Sequence, residues 1–195
     1  MKNMSLYILI LAIFSACGNS NSTNKAEIQS KVNTPIQIIA DVDAEEDEAQ
    51  SMIVGKFTKE DLLKAPFVSW FESGYNSYVP KAEALATIKK NISDYEIVGF
   101  VGTWCPDSRR EIPKIYKILD EAGYDLSKLT MVGVTRGKST PENFEEGYNM
   151  HRVPTFIFLK DGKEVNRFVE YEVETIEEDI ARIVSGQEYK NPYSN

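Results

Sequence analysis

Two cysteines and a single histidine are the whole of the soft-ligand chemistry in this 195-residue chain. A structural zinc site takes four such ligands, so no metal is expected, and two cysteines in unlike surroundings do not make a disulfide framework. Clustered cations are missing too: 22 Lys and Arg stand against 30 Asp and Glu, for a net charge of -8. Phosphate contacts need grouped Lys and Arg, which argues against nucleic-acid binding. There is no internal repeat and no glycine-rich phosphate loop of the required spacing, so no cofactor is expected. The one marked apolar run at the start, Leu6 to Phe14, is too short to span a bilayer comfortably.

What is present is a cysteine in a reactive setting. Gly102-Thr103-Trp104-Cys105-Pro106-Asp107-Ser108-Arg109 follows an apolar strand pattern, Tyr95 to Val101, and opens a helical pattern running from Asp107 to about Glu121. Unpaired backbone N–H groups and the positive end of a helix dipole both favour the thiolate, the nucleophilic form. Arg109 and Arg110 add positive charge beside Cys105, and Asp107 opposes it.

The other cysteine belongs to a start that reads as an export signal, with Lys2 as its charged part and Ser15-Ala16 as small residues before Cys17. Phe14-Ser15-Ala16-Cys17 resembles the lipobox of bacterial lipoproteins, with Phe where Leu is usual. That resemblance implies a signal over residues 1–16, acylation of Cys17, and a lipid-anchored, extracytoplasmic location at a bacterial cell envelope, facing the periplasm or the cell surface. Several acyl chains would anchor stably where one holds only marginally; an ordinary cleaved signal with an incidental cysteine is the alternative. Residues 17–50 are polar and then acidic, with Asp41, Asp43, Glu45, Glu46, Asp47 and Glu48 in one run, and read as a flexible tether. A coil of about 30 residues reaches roughly 30 Å. Ile36-Gln37-Ile38-Ile39-Ala40 interrupts it with an apolar patch that could pair as an edge strand or dock on the domain.

A folded domain is expected over residues 51–186. Met52-Ile53-Val54 is a candidate strand, and Thr58 with Asp61 caps a short helix ending near Pro66. Phe67, Trp70, Phe71, Tyr75 and Tyr78 read as core packing. Lys81 to Ile92 is amphipathic, with Ala82, Leu85, Ile88 and Ile92 at helical spacing. Beyond the motif, Gly123 stops its helix, and Pro113 inside that helix should kink it. Leu129 to Val134 is a second buried strand, and Pro141 to Tyr148 is predicted as a short helix capped by Thr140. Thr155 onward is a strand, Asp161-Gly162 a hairpin turn, and Lys163 to Val169 the return strand. Thr175 to Val184 is the last helix, and residues 187–195 read as a polar tail. The alternation predicts an α/β fold, a mixed sheet with helices on both faces.

Trp104-Cys105-Pro106-Asp107-Ser108, Pro113 eight residues after the cysteine, and Val153-Pro154-Thr155 ahead of the hairpin together resemble the thioredoxin-like superfamily. Thr103-Trp104-Cys105-Pro106 with Arg109, Glu111 and Pro113 is most similar to its membrane-anchored, extracytoplasmic thiol-disulfide members. The resemblance implies a thioredoxin-like fold with an N-terminal helical extension. It implies a cis Pro154 that brings the Val153 backbone beside the sulfur, where an extended substrate pairs with it. Trp104, Pro106, Val153, Pro154 and Thr155 are the implied substrate-binding residues, and Cys105 and Ser108 the catalytic pair.

Two departures narrow the chemistry. Ser108 stands where dithiol members carry a resolving cysteine, and Gly99 stands where a buried Asp or similar group often assists proton transfer. Cys105 can open an exchange, but resolution falls to a second substrate thiol, a small thiol or a partner protein. The expected function is therefore exchange through a single cysteine, of isomerase or monothiol type, with protein or small-molecule thiols and disulfides as partners. The competing class is a redox-inactive module that uses the same groove to hold a peptide or partner. A peroxide-reducing enzyme ranks low, since no Pro-Thr-x-x-Cys arrangement surrounds Cys105. His151 reads as exposed beside the loop rather than as a catalytic base.

Overall fold

The computed structural model describes residues 37–39 and 51–194, so the predicted signal, Cys17 and most of the tether lie outside the described residues. Six strands form one sheet in the order β1-β2-β4-β3-β5-β6. β1 (Gln37–Ile39) pairs antiparallel with β2 (Met52–Phe57), so the apolar patch within the tether takes the edge-strand alternative. β3 (Glu96–Val101) and β4 (Leu129–Gly133) are parallel neighbours. β5 (Thr155–Lys160) and β6 (Lys163–Val169) complete the antiparallel side. Their turn holds Asp161 at φ 53° and Gly162 at φ 71°, the left-handed pair that a two-residue hairpin demands.

Helices connect these strands: α1 (Lys59–Leu62), α2 (Val68–Ser77), α3 (Ala82–Asn91), α4 (Pro106–Ala122) and α5 (Ile176–Ser185). The aromatic segment after Pro66 is α2, with Phe71 as its buried residue. α4 runs continuously through Pro113, whose ring packs so closely on α2 that a side chain at Gly74 would stand 2.9 Å from it.

Strand periodicity sorts the core into two layers. Ile97, Val101, Met131, Phe156 and Phe158 point toward the helices and join residues of α2, α3, α4 and α5 in one cluster. Val98, Phe100, Val132, Val134 and Ile157 point the other way. Among the described residues no long helix covers that second face; Phe144, Tyr148 and Met150 from the 135–153 connection lie over it.

The predicted helix over Pro141 to Tyr148 is a series of turns. Thr140 does act as a cap, taking the Phe144 N–H at 2.9 Å on its hydroxyl. Asn143 at φ 55° and Gly147 at φ 85° then turn the backbone left-handed, which stops a helix from propagating. The mixed sheet with flanking helices is as expected, and among the described residues those helices lie on one face, with turns in place of the predicted helix on the other. The end of the chain departs from the polar-tail reading as well: Tyr189 is buried and donates to Asp179 at 3.2 Å, while its carbonyl accepts from Asn166. Two tyrosines give that segment an apolar grip that its composition conceals.

Candidate active site around Cys105

Cys105 sits where β3 ends and α4 begins, as the residue preceding the first helical turn, with Pro106 at the first helical position. Pro106 is exposed, whereas Cys105 is only 8% exposed. The turn into the helix is pinned by Cys105 N–H donating to the Gly102 carbonyl at 2.8 Å, and by Arg109 N–H donating to the Cys105 carbonyl at 3.0 Å. Thr103, fully buried, ties the loop to β2 by accepting the Ile53 N–H at 3.0 Å.

Trp104 is half-buried and donates its indole N–H to the Val134 carbonyl at 2.9 Å, with the Arg136 guanidinium 5.3 Å above the ring. The indole lies against Gly102, where a Cβ would stand 2.6 Å from the ring; only glycine leaves it room.

The Val153-Pro154 peptide bond is cis, and the Val153 carbonyl lies 3.6 Å from Cys105 Sγ. The Val153 N–H donates to no acceptor among the described residues. Val153 is buried, where a donor left unmet is costly. Thr155 braces the turn, donating its hydroxyl to the Arg152 carbonyl at 2.7 Å, and the Pro154 carbonyl accepts from Glu170 N–H at 2.7 Å. The Val153 carbonyl thus stands beside the sulfur, ahead of a cis Pro154, as the resemblance implies, and Thr155 braces that turn.

Ser108 is fully buried, and its hydroxyl oxygen accepts the Gly102 N–H at 3.1 Å. The contacts of Cys105 Sγ are instead the Asp107 carboxylate at 3.9 Å and the Val153 carbonyl. Both are hydrogen-bond acceptors. The arginines expected to supply positive charge are engaged elsewhere. Arg109 donates to the Thr103 carbonyl at 2.6 Å, and Arg110 pairs with Asp107 at 2.7 Å and with Glu111.

Gly99 explains why no proton carrier stands behind the sulfur. A Cβ there would lie 2.7 Å from Met131 Sδ and 2.9 Å from the Phe156 ring, so those side chains fill the place a carboxylate would need.

A buried ionic cluster one turn further along α4 is visible only in three dimensions. Glu111, fully buried, faces Lys114 at 3.1 Å, Arg110, and across the gap Glu172, which reaches Lys114 at 3.5 Å. Burial pushes the Glu111 carboxyl above its ordinary range against the pull of Lys114, and the charge of Glu172 adds to the rise. Burial acts the same way on Glu172, but its own backbone N–H and Lys114 outweigh it and hold that carboxyl below the usual range. The spacing of Glu111 and Lys114 on one helix face was the available signal; the partner from beyond β6 had none.

His151 is exposed and lines the same cavity as Cys105. Among the described residues no group of three or more His, Cys, Asp or Glu could hold a metal ion, and no helix is long and apolar enough to cross a membrane.

No protein-family model matches this chain, and no curated protein is significantly similar to it. Solved structures similar to it include a thioredoxin from Fasciola hepatica, 30% identical, covering 45% of this chain and 79% of that one at a TM-score of 0.30. Trxlp from Edwardsiella tarda is 18% identical over 54% of this chain and 95% of its own, at a TM-score of 0.36. A protein of unknown function from Pseudomonas aeruginosa is 11% identical over 60% and 81%, at a TM-score of 0.45.

Proposed function

Taking the chain as a member of the thioredoxin-like superfamily, we propose that it exchanges disulfides through Cys105 alone and is held at a bacterial membrane by an acylated Cys17. The observation that carries this reading is the pairing of Cys105 Sγ with the Val153 backbone, 3.6 Å from its carbonyl and beside its unpartnered N–H. A substrate strand bound there presents its disulfide to the sulfur.

The chemistry is a substitution at sulfur. Cys105 loses its proton, with the Asp107 carboxylate at 3.9 Å as the nearest acceptor side chain. The thiolate attacks one sulfur of the substrate disulfide, the S–S bond breaks, and the other substrate sulfur leaves with the electron pair. The product is a mixed disulfide on Cys105. With Ser108 bonded to Gly102 and Gly99 closed to any proton carrier, a second thiol must come from outside the motif. When that thiol belongs to the substrate, the result is isomerisation with no net electron transfer.

One observation favours the competing class, a redox-inactive groove that holds a peptide: the two groups in contact with Sγ, the Asp107 carboxylate and the Val153 carbonyl, are acceptors, and neither can donate to it. Substitution separates the two. Cys105→Ser abolishes covalent capture of disulfide substrates under the exchange reading, and leaves partner retention intact under the binding reading. Anchoring has its own test: palmitate labelling of cells expressing the full chain gives a labelled protein, and Cys17→Ser abolishes the label. An unlabelled parent chain would remove the anchor from the proposal.

A further inference from the structure

Tyr193 takes no part in the chemistry at sulfur, yet it touches both side chains that support the Val153-Pro154 turn from outside. The 187–194 segment is fixed to the domain by Tyr189, which is buried, donates its hydroxyl to Asp179 at 3.2 Å and accepts from the Asn166 amide at 3.0 Å on its carbonyl. Asn191 then turns the chain. Its side chain accepts the Tyr193 N–H and its carbonyl the Ser194 N–H, each at 3.0 Å. This turn lays the Tyr193 ring on the Arg152 guanidinium, 4.0 Å from its carbon to the ring centre, with the Tyr171 ring edge-on at 5.9 Å. The Tyr193 hydroxyl donates to Glu170, whose carboxylate also accepts from Arg152 at 3.0 Å.

Arg152 and Glu170 reach the turn at its two ends. Arg152 immediately precedes Val153, and its carbonyl accepts the Thr155 hydroxyl at 2.7 Å. Glu170 donates its N–H to the Pro154 carbonyl at 2.7 Å. The Glu170 backbone is held at φ 66°, a left-handed conformation that suits glycine far better than glutamate. What accounts for a glutamate there is its carboxylate, which binds Arg152 and Tyr193 at once. The two tyrosines of the segment divide the work. Tyr189 is 7% exposed and anchors it, whereas Tyr193 is 38% exposed and adds little to the core.

We propose that the 187–194 segment is a strap and Tyr193 a positioning residue for polypeptide substrates: through Arg152 and Glu170 it holds the Val153-Pro154 turn in the arrangement an extended chain needs to pair with Val153 and bring its disulfide to Cys105. This rests on the exchange reading above. A small disulfide needs only the sulfur, which is placed without the strap by the start of α4 and by the Cys105 N–H bond to the Gly102 carbonyl at 2.8 Å. A polypeptide needs the turn as well, because its backbone must be aligned before its sulfur can be attacked. The strap therefore sorts substrates, favouring extended chains and not acting on small disulfides.

The test uses the full chain with Cys17→Ser, so that the signal reports on Cys105 alone. Two probes carry the same leaving group, thionitrobenzoate, disulfide-bonded either to the cysteine of an uncharged extended peptide or to 2-mercaptoethanol. The Cys105 thiolate attacks the aliphatic sulfur, a mixed disulfide forms, and thionitrobenzoate leaves with the electron pair and is read by its absorbance. Tyr193→Ala should lower the second-order rate constant by about tenfold with the peptide probe and by less than about twofold with the small one. Tyr193→Phe, which keeps the ring on Arg152, should recover most of that loss. Equal losses with the two probes, an unchanged peptide rate, or a Tyr193→Phe no better than Tyr193→Ala overturns the strap while exchange stands. Failure of both probes to react with the parent chain removes the exchange reading itself, and the strap's role with it.

Discussion

The two faces of the sheet are built to different standards. One lies under α2, α3, α4 and α5, which contribute Phe71, Ile88, Ile112, Tyr116 and Ile180 among other fully covered side chains. Among the described residues the other lies under a connection of turns, where Phe144, Tyr148 and Met150 are only half-buried. Cys105, Trp104 and the cis Pro154 loop all belong to the thinly covered face. Local opening free energies fall where apolar contacts are few, so the Cys105 edge is the more easily opened while the helical layer holds the frame.

Truncation on each face tests that difference most severely. Phe158→Ala, on the helical side, should cost about 3–5 kcal/mol, and Phe144→Ala, on the other, about 1 kcal/mol. Denaturant unfolding of the two variants reads both, and equal losses would erase the distinction. A change at the site itself comes next. Ser108→Cys supplies the absent thiol one turn into α4, and should shorten the lifetime of a Cys105 adduct by at least about tenfold, followed by mass after dilution. A lifetime equal to that of the parent would mean that resolution is not limited by the missing thiol.

Gly99→Ala sharpens the account of the closed proton-carrier position. Its Cβ meets Met131 and Phe156 below contact distance, so a loss of about 1–3 kcal/mol is expected. A neutral result would show that the core can yield there. The smallest effect concerns pH. Glu111 has its folded-state pKa raised by burial above the ordinary 4.5, so between that value and its folded pKa the unfolded chain releases the proton first. Stability from this group is present below pH 4.5 and declines as pH rises through the folded value. The stability of Glu111→Gln relative to the parent should therefore rise with pH across this window in parallel urea titrations. A difference that falls with pH would reverse the sign assigned to Glu111.

Much of this architecture can be read from residue order. Period-2 and period-3.6 patterns mark β3, α3, α4 and α5, Asp161-Gly162 marks the hairpin, and the family resemblance, not residue order, points to Val153-Pro154 as the turn beside the sulfur. Thr140-Pro141 misleads because a helix start and a capped turn share the same first residues, and the outcome depends on Asn143 and Gly147 taking left-handed backbone. The partner of Ser108 was equally hidden. A hydroxyl one turn from Cys105 looks aimed at it, but the Gly102 N–H, left unpaired where β3 ends, claims the oxygen. Gly99 is legible as a departure, though its cause, the Met131 and Phe156 side chains filling the space, depends on strand register. Tyr189 and Tyr193 lie in a stretch too short and polar to suggest docking.

The central claim is that Cys105 begins an exchange which another molecule completes. Its most direct measurement is the fate of a preformed mixed disulfide between Cys105 and a substrate peptide bearing no second thiol, in the full chain with Cys17→Ser. The adduct should persist unchanged in buffer and disappear only when a thiol is added, with Cys105 recovered reduced. An adduct that resolves without added thiol, or a Cys105 that never forms one, would contradict it.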